Sequence, residues 1–540
     1  MTTLSSFSPT IGALGLILGS LAAQSNAIPG SDINVFAVDS PSYYGRVGSA
    51  YPGGTAGFAI GHSMGNCGTV HIPWSGFSGG LLIDNHVKIA FLLARESDGR
   101  MVQISGKSFC KHSRTAFNFS GSSPCSPCQT TGPSAHFRIG CHDIYSAGFN
   151  SSWGILGPTT EIDPWLGTWN PLGSYFDVGD PAQANYPQPA DRSQSLVTTG
   201  FTPVKNRLAV SERDLVVPGS TFYGQNQVVI IGEPVGNRGN NQVSRGMNFT
   251  WNGTGWGVSM TGTAVHGSVL TRWSGATWDL AGNGIDDGRF LVAVKVTGPV
   301  DGMWHYEYAV HNLDNNRGGA SLRVPLCDDA RLANLGFHDI DDNPLNDWTT
   351  SRSGGELQFQ AGIDNPLDWN TFYNFYFDSD AAPIAGNVLV DQARIGPGAL
   401  SVTIPSTVPG LLGTQYLGAG CGAPAPRLEA TGVPSSPNQD YGMELTGSPN
   451  APVLLAFASS AGSAPLGACT LWLDEPSLLA TALVGNDAAG NFAFTLPIPP
   501  GLQPTELAVQ AFELDTNGFP ASLLAASNGL LIRAASSGCP

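Results

Sequence analysis

The sequence has 540 residues, and its 24 Lys and Arg against 41 Asp and Glu give a formal net charge of −17. This acidic balance lacks the basic patch that binding to nucleic acid or to an anionic membrane requires, so neither partner is expected. Only 12% of the residues are charged, whereas 69 are Gly and 39 are Pro, and this turn-rich composition disfavours helical bundles and predicts an all-β protein.

The N-terminus, residues 1–27, has the pattern of a signal peptide. Its apolar stretch, residues 11–23, is shorter than the roughly 20 residues that cross a bilayer, and the small residues Ser25 and Ala27 suit cleavage after Ala27. No later stretch is long and apolar enough to predict a membrane span, so we expect a secreted or cell-surface protein. In that compartment the nine Cys predict disulfides, with at least one thiol left over.

Residues 28–240 are predicted to form a loop-rich, disulfide-braced β domain. Short apolar runs such as Val87-Lys-Ile-Ala-Phe-Leu-Leu-Ala94 have the length of strands and are bounded by turn-forming residues. Five cysteines fall within 75 residues of this region, namely Cys67, Cys110, Cys125, Cys128 and Cys141. Their crowding assigns them to one domain, but the spacing leaves their pairing open.

The sequence Gly61-His-Ser63-Met-Gly65 matches the G-x-S-x-G pattern of serine hydrolases. In those enzymes a helix must follow the serine directly. The residues that follow here include two Gly, a Pro and several β-branched residues, which do not continue as a helix. We therefore expect no serine hydrolase site at this position.

Six of the ten His lie between residues 62 and 142, among the crowded cysteines. Imidazole is a preferred ligand of Cu and Zn, and the predicted transition-metal residues are Lys111, His112, His142 and Asp143 in this domain, with His305 and His338 from the next. The alternative is a disulfide-braced domain whose His residues are ordinary polar side chains. If the four imidazole rings lie more than about 10 Å apart, no single ion can join them.

Residues 241–398 are predicted to form a central β-sandwich. The segment Trp304-His-Tyr-Glu-Tyr-Ala-Val-His-Asn312 alternates with period two, which places Tyr306, Tyr308 and Val310 on one face of a strand and Ala309 on the other. Several further short strands with turn residues between them favour a sandwich.

An acidic loop of this central domain is a candidate Ca²⁺ site. Its carboxylates are Asp339, Asp341, Asp342 and Asp347, and oxygen atoms are the ligands that Ca²⁺ takes. The spacing does not fit an EF-hand. The alternative is a loop whose Asp side chains form Asx turns with their own backbone.

Residues 399–416 contain Pro and few charges and are predicted to form a linker. Residues 417–540 contain evenly spaced short apolar runs, which predict a second β-sandwich of normal domain size. Cys421 and Cys469 could connect its first strand to a middle strand, although the spacing alone leaves this pairing open.

Several stretches of the chain resemble a group of exported proteins of planctomycete-type bacteria. The resemblance rests on Gly140-Cys-His-Asp-Ile-Tyr-Ser-Ala147, on the alternating segment at residues 304–312, and on Phe372-Tyr-Asn-Phe-Tyr-Phe-Asp-Ser-Asp380, among others. The segment from Gly418 to Leu530 is similar to a β-sandwich that recurs at the C-terminus of such chains. The resemblance implies export and β architecture, and it implies no activity or substrate.

These patterns together predict an exported protein with a binding or structural role, whose partner is an extracellular ligand or a component of the cell surface. The alternative is a metal-dependent secreted enzyme with Cu or Zn in the N-terminal domain. The possible cofactors are therefore Ca²⁺, Cu or Zn, and the sequence leaves open whether the protein is an enzyme.

Overall fold

The computed structural model of the chain describes residues 24–534, except for positions 108, 122, 301–302, 328–329, 342, 363, 411–412, 433, 435–436, 501, 503–504 and 516–521. Its regular structure is mostly β-strand, which confirms the all-β prediction, and the strands form three successive domains. The predicted signal peptide lies outside the described residues up to position 23. No helix in the described part of the chain is long and apolar enough to cross a membrane.

The first domain is a sandwich of a four-stranded and a seven-stranded sheet. Its strands are β1 (Ile33–Gly48), β2 (Gly54–Asn66), β3 (Ile72–Pro73), β4 (Phe77–Ser78), β5 (Leu81–Leu82), β6 (Lys88–Ser97), β7 (Arg100–Gln103), β8 (Cys110–His112), β9 (His136–Phe137), β10 (His142–Tyr145), β11 (Leu156–Gly157), β12 (Ile162–Asp163), β13 (Thr168–Trp169), β14 (Leu208–Ser211), β15 (Thr221–Val229), β16 (Gln242–Trp251) and β17 (Trp256–His266). In the smaller sheet β1, β10 and β14 pair with β2, and the larger sheet has the order β11-β8-β6-β15-β16-β17 with β7 beside β6.

Strand β6 is buried on both of its faces. Ile89, Phe91 and Leu93 enter the core between the two sheets. Leu92 and Ala94, on the opposite face, pack against the central domain. A strand buried on both faces has a continuous apolar sequence instead of an alternating one, which is why this segment has six apolar residues in succession from Ile89 to Ala94.

The first domain continues beyond residue 240, where the sequence analysis places its end. Strand β16 pairs with β15, and β17 pairs with β16, so both belong to the seven-stranded sheet. The apolar pattern of a strand identifies the strand but not its partner, because ladder contacts join residues that are distant in sequence. The pairing therefore extends the first domain to His266.

The helices are short and lie in the connections. They are α1 (Ala147–Asn150), α2 (Tyr175–Val178) and the single 3₁₀ turns Trp153–Ile155, Thr159–Glu161, Asp214–Val216, Val235–Asn240, Val269–Arg272 and Glu475–Ser477. The long connection at residues 154–191 covers the outer side of the larger sheet. Trp169, Tyr175 and Phe176 from this connection pack against Ala90 and Cys110.

The central domain is a sandwich of two five-stranded sheets, β18-β19-β20-β25-β22 and β23-β24-β21-β26-β27. Its strands are β18 (Thr277–Gly282), β19 (Arg289–Val300), β20 (Met303–Asn312), β21 (Gly319–Pro325), β22 (Leu332–His338), β23 (Thr349–Ser353), β24 (Glu356–Gln360), β25 (Thr371–Ser379), β26 (Pro383–Gln392) and β27 (Ser401–Pro409). The predicted alternation on β20 is confirmed, because Tyr306, Tyr308 and Val310 enter the core between the sheets and Ala309 faces the first domain.

An apolar layer joins the first domain to the central domain. It contains Leu92 and Met101 from the first domain and Leu291 and Phe372 from the central domain. The side-chain amide of Asn374 donates to the backbone carbonyl of Met101 at 2.9 Å across this layer. The two sandwiches therefore share a buried interface that is both apolar and hydrogen-bonded.

The C-terminal domain packs a five-stranded sheet, β28-β37-β36-β31-β34, on a three-stranded sheet, β29-β30-β35. Its strands are β28 (Thr414–Leu417), β29 (Arg427–Ala430), β30 (Gly442–Thr446), β31 (Pro452–Ala458), β32 (Ala461–Leu466), β33 (Cys469–Leu473), β34 (Leu478–Gly485), β35 (Asn491–Thr495), β36 (Thr505–Asp515) and β37 (Ser522–Ala534). Most of the segment that the sequence analysis assigns to a linker is strand, because β27 completes a central sheet and β28 begins the C-terminal sheet.

Disulfides brace the first and last domains, as the sequence predicts for the first. The described bonds are Cys67–Cys125, Cys128–Cys141 and Cys421–Cys469. Cys327 is disulfide-bonded as well. Among the described residues, Cys110 is the free cysteine, and it is buried. Disulfides of this number fit a protein of an oxidising, extracellular compartment.

Candidate functional site

His112, a predicted transition-metal residue, lies in a sealed aromatic layer. Its ring packs against Trp169 and Phe176 at centroid distances of 4.7 and 4.9 Å. Its Nδ1 is 2.7 Å from Nε2 of His86, and the other ring nitrogen of His86 donates to the carbonyl of Ile83. Burial lowers the pKa of both imidazoles well below the usual range. His112 is therefore a neutral, hydrogen-bonded core residue.

His142 and Asp143 are adjacent on β10 and do not face the same space. Successive strand residues point to opposite faces; the Asp143 side chain is buried in the sandwich, and His142 contacts the ring of Phe119. Burial raises the pKa of Asp143 to about 7 even though Lys111 is nearby. The two side chains therefore lie on opposite faces of β10.

His305 and His338 lie on β20 and β22 of the central domain. The Nδ1 atom of His305 is 2.7 Å from a carboxylate oxygen of Asp378, and its Nε2 is 3.5 Å from Glu307. The hydrogen bond to Glu307 and the second carboxylate raise the pKa of His305. The pKa of His338 is lowered, first by burial and then by Arg100. The two imidazoles therefore differ in their surroundings, because carboxylates raise the pKa of His305 whereas burial lowers the pKa of His338.

The acidic loop uses its carboxylates for local hydrogen bonds. Asp339 accepts from the backbone N–H of Asp341 at 2.9 Å and from the side chain of Asn365 at 2.6 Å. Asp341 accepts in turn from the backbone N–H of Asn343 at 2.8 Å. These are the contacts of Asx turns. Asp342 lies outside the described residues, and Asp347 completes the loop before β23.

Over the described residues, no group of three or more His, Cys, Asp or Glu side chains is placed to hold a metal ion. The predicted ligands therefore remain separate: His112 under the long connection, His142 at the edge of the smaller sheet, and His305 and His338 in the central domain. The described structure also contains a site of another kind, a cavity with mostly apolar walls.

This cavity has a volume of about 460 Å³ and lies where the first domain meets the central domain. Five chain segments supply its walls, and its apolar side chains are Pro164, Val228, Val229, Ile230, Val265, Trp278, Leu280, Leu291 and Leu313. Apart from Pro164 in the long connection, they come from β15 and β17 of the first domain and from β18, β19 and the end of β20 in the central domain. The site exists because the two domains are held together by their shared interface.

The charged groups at the cavity wall are paired with one another, one carboxylate with two guanidinium groups. Asp314 forms ion pairs with Arg238 at 3.1 Å and with Arg289 at 2.8 Å. Burial alone would raise the pKa of Asp314, but the two guanidinium groups outweigh it and the pKa is lowered. Arg238 also lies 4.4 Å from the ring centroid of Trp165. Each of these charged groups therefore already has an ion-pair partner within the protein.

Two further polar residues define the hydrogen-bonding character of the cavity. Burial raises the pKa of Glu233 to about 8, so this wall residue is mostly uncharged at neutral pH. Its carboxyl group accepts from the backbone N–H of Ile33 at 2.8 Å and from the side-chain amide of Asn241. The Oδ1 atom of Asn241 is buried and has no hydrogen-bond partner in the structure. An unsatisfied buried acceptor is costly.

The mouth of the cavity carries two partly exposed side chains. Trp278 is 48% exposed and Val265 is 43% exposed, and both line the cavity. An indole at a pocket entrance offers a flat apolar surface together with a polar N–H. The arrangement suits an aromatic or alicyclic molecule.

None of these cavity residues could be identified from the sequence. The lining comes from residue 164 and from segments near residues 227–242, 265–271, 278–291 and 313–314, and none of them contains a recognisable motif. The one available signal is Trp278, a large aromatic residue on a short strand beside an acidic turn. That signal does not distinguish an exposed wall from a buried core position.

The described structure is a multidomain β protein, and its disulfides fit an extracellular or cell-surface location. No family model and no curated protein matches the chain. Solved structures of bacterial pilin subunits show a weak likeness. The T6 backbone pilin of serotype M6 Streptococcus pyogenes is 8% identical with a TM-score of 0.19, over 58% of this chain and 64% of that chain.

The major pilin subunit BcpA of Bacillus cereus is 9% identical with a TM-score of 0.17, over 60% of this chain and 83% of that chain. A variant of the same subunit with one Asp replaced by Ala is 10% identical with a TM-score of 0.18, over 63% of this chain and 89% of that chain. TM-scores at this level do not establish a shared fold.

Proposed function

We propose that the protein is an extracellular or cell-surface binding protein whose ligand occupies the cavity between the first and central domains. The ligand is a small, uncharged, largely apolar molecule with one hydrogen-bond donor. The observation that carries the proposal is the cavity itself, with a volume of about 460 Å³ and mostly apolar walls. Asn241, whose Oδ1 atom is buried without a hydrogen-bond partner in the structure, is one of its lining residues.

The size and location of the cavity support this function. Small-molecule sites have volumes of roughly 300–1,000 Å³, often lie between domains, and combine apolar walls with a few placed polar groups. Asp314 forms ion pairs with both Arg238 and Arg289, so each charged group of this set already has a partner of opposite charge within the protein. The largely protonated Glu233 adds little negative charge near neutral pH.

The experiment measures binding of β-naphthol to the full mature protein by isothermal titration calorimetry. β-Naphthol is apolar and uncharged and carries one hydroxyl donor, and its methyl ether has the same shape without the donor. We expect saturable binding of β-naphthol, and weaker binding of the ether by about 2- to 10-fold, the worth of one buried hydrogen bond.

A matched pair of variants assigns the binding to the cavity. Val265→Trp places a large side chain at the mouth and should abolish or strongly weaken β-naphthol binding. Val300→Trp makes the same change at a strand position that is 70% exposed and outside the cavity, and it should leave the affinity unchanged. Absence of saturable binding, or equal affinity in both variants, would contradict the proposal.

A further inference from the structure

Strand β34 is an exposed edge of the five-stranded sheet in the C-terminal domain. It pairs with β31 on one side, and in the sheet order no described strand lies on its other side. Leu479 is 62% exposed and Leu483 is 70% exposed. An edge strand presents unpaired backbone N–H and C=O groups, with which another strand can form a ladder.

Charge and Pro, two of the usual protections of an edge strand, are missing from β34, and its irregularity is a bulge at Leu479 opposite Phe457 and Ala458 of β31. Natural edge strands carry Lys, Pro or inward-pointing charges that block a second strand. Residues 478–485 contain no charged residue and no Pro. The edge strand β23 of the central domain differs, because its sequence Thr-Thr-Ser-Arg-Ser is polar and includes Arg352.

The sequence of β34 is symmetrical about Thr481. Residues 478–484 read Leu-Leu-Ala-Thr-Ala-Leu-Val, the same order in both directions apart from Leu at one end and Val at the other. When a two-fold axis relates two identical strands, residue i opposes j and j opposes i. An axis at Thr481 sets Thr481 opposite itself, which is a favourable cross-strand pair, and brings the bulged Leu479 of one copy near Leu483 of the other.

We propose that two copies of this chain associate by antiparallel pairing of β34 with β34, around a two-fold axis at Thr481. The pairing joins two five-stranded sheets into one continuous sheet and covers Leu479 and Leu483. The symmetrical order favours a second copy of the chain as the occupant. In that pair each half of β34 lies opposite a segment with the same residue types, which a strand of unrelated sequence would not provide.

Charge at the ends of β34 sets how the association responds to salt. Glu475 and Asp487 are exposed and lie beyond the two ends of the strand. An axis at Thr481 brings Glu475 of one copy near Asp487 of the other, and each molecule also has a net charge of −17. Added salt screens this repulsion, so the dimer becomes tighter as the NaCl concentration rises.

The test is sedimentation velocity of the full mature protein from micromolar to sub-millimolar concentration, at physiological and at raised NaCl. We expect a monomer–dimer equilibrium that shifts toward dimer with salt. Thr481→Lys places two ammonium groups on the axis and should raise the dissociation constant about tenfold or more. Thr481→Val keeps a β-branched residue there and should retain the dimer, and Thr350→Lys on β23 is the matched control.

Cross-linking tests the register. In the proposed pair the two copies of residue 481 are directly opposite, within the roughly 4.4–6.8 Å between Cα atoms that a disulfide spans. Mild oxidation should therefore link Thr481→Cys into a covalent dimer and leave Thr350→Cys monomeric. The proposal is overturned by a wild-type monomer at every concentration, by a dimer that Thr481→Lys does not weaken, or by equal cross-linking of the two Cys variants.

Discussion

At the scale of single residues, Lys111 occupies an energetically unfavourable buried position in the first domain. Its ammonium nitrogen is buried without a hydrogen-bond partner in the structure and lies 2.9 Å from the ring centroid of Tyr145. Burial lowers the pKa of Lys111 well below its usual range. The nearby Asp143 has its pKa raised to about 7, so each group is driven toward its neutral form instead of toward an ion pair.

Replacement of Lys111 by Met should therefore stabilise the first domain at pH 6, where Asp143 is mostly protonated in the folded state. In the unfolded chain the Lys111 side chain is charged and hydrated, and burying it in the folded core costs free energy. Because Met has no such cost, the substitution should add about 1–3 kcal/mol to the free energy of unfolding. Urea denaturation of both proteins, followed by circular dichroism, measures the change. A less stable Lys111→Met variant would show that the amine makes a net favourable contact.

The same substitution predicts a pH dependence. The pKa of Lys111 is lowered in the folded state and is about 10.4 in the unfolded chain. Between these two pH values the unfolded state binds one more proton than the folded state. The free energy of unfolding of the wild-type protein therefore rises with pH over this range. Lys111→Met lacks this contribution. The advantage of the variant should shrink steadily between pH 7 and pH 10, and an advantage independent of pH would contradict the assignment.

At the scale of elements, a strand could be predicted from the sequence where its own pattern of apolar residues shows which of its faces are buried. The continuous run in β6 and the alternation in β20 follow from which faces are buried. The G-x-S-x-G segment at Gly61 lies within the long strand β2, as the absence of a following helix indicates. Strand partners could not be predicted, because β16 and β17 have the same local pattern whichever domain they join.

The C-terminal disulfide allows a test at this scale. The Cys421–Cys469 bond closes a loop of 48 residues, and it connects the start of the domain to β33. The double variant Cys421→Ala with Cys469→Ala should destabilise the C-terminal domain by about 2–4 kcal/mol, and the other two domains should unfold as before. Differential scanning calorimetry measures both effects, and an unchanged C-terminal transition would show that the bond does not constrain the unfolded chain.

At the scale of the whole molecule, we expect the first and central domains to unfold together as one cooperative unit. Leu92 and Phe372 belong to one apolar layer, and side-chain hydrogen bonds cross it. The cavity is formed by the same two domains. It could not be predicted from the sequence, because its walls come together through domain packing and not through a local motif.

Calorimetry of the wild-type protein should show this unit directly. We expect two main transitions, one for the joined first and central domains and one for the C-terminal domain. Met101→Lys, which introduces a charge into the shared layer, should split the larger transition into two. Three separate transitions in the wild-type protein would contradict the rigid junction on which the cavity depends.

The central claim is that the cavity between the first and central domains binds a small apolar molecule. A crystal structure of the full mature protein grown with β-naphthol tests it most directly. We expect the naphthalene ring inside the cavity, between Leu291 and Trp278. An empty cavity at saturating β-naphthol, or a ring bound elsewhere, would contradict the proposal.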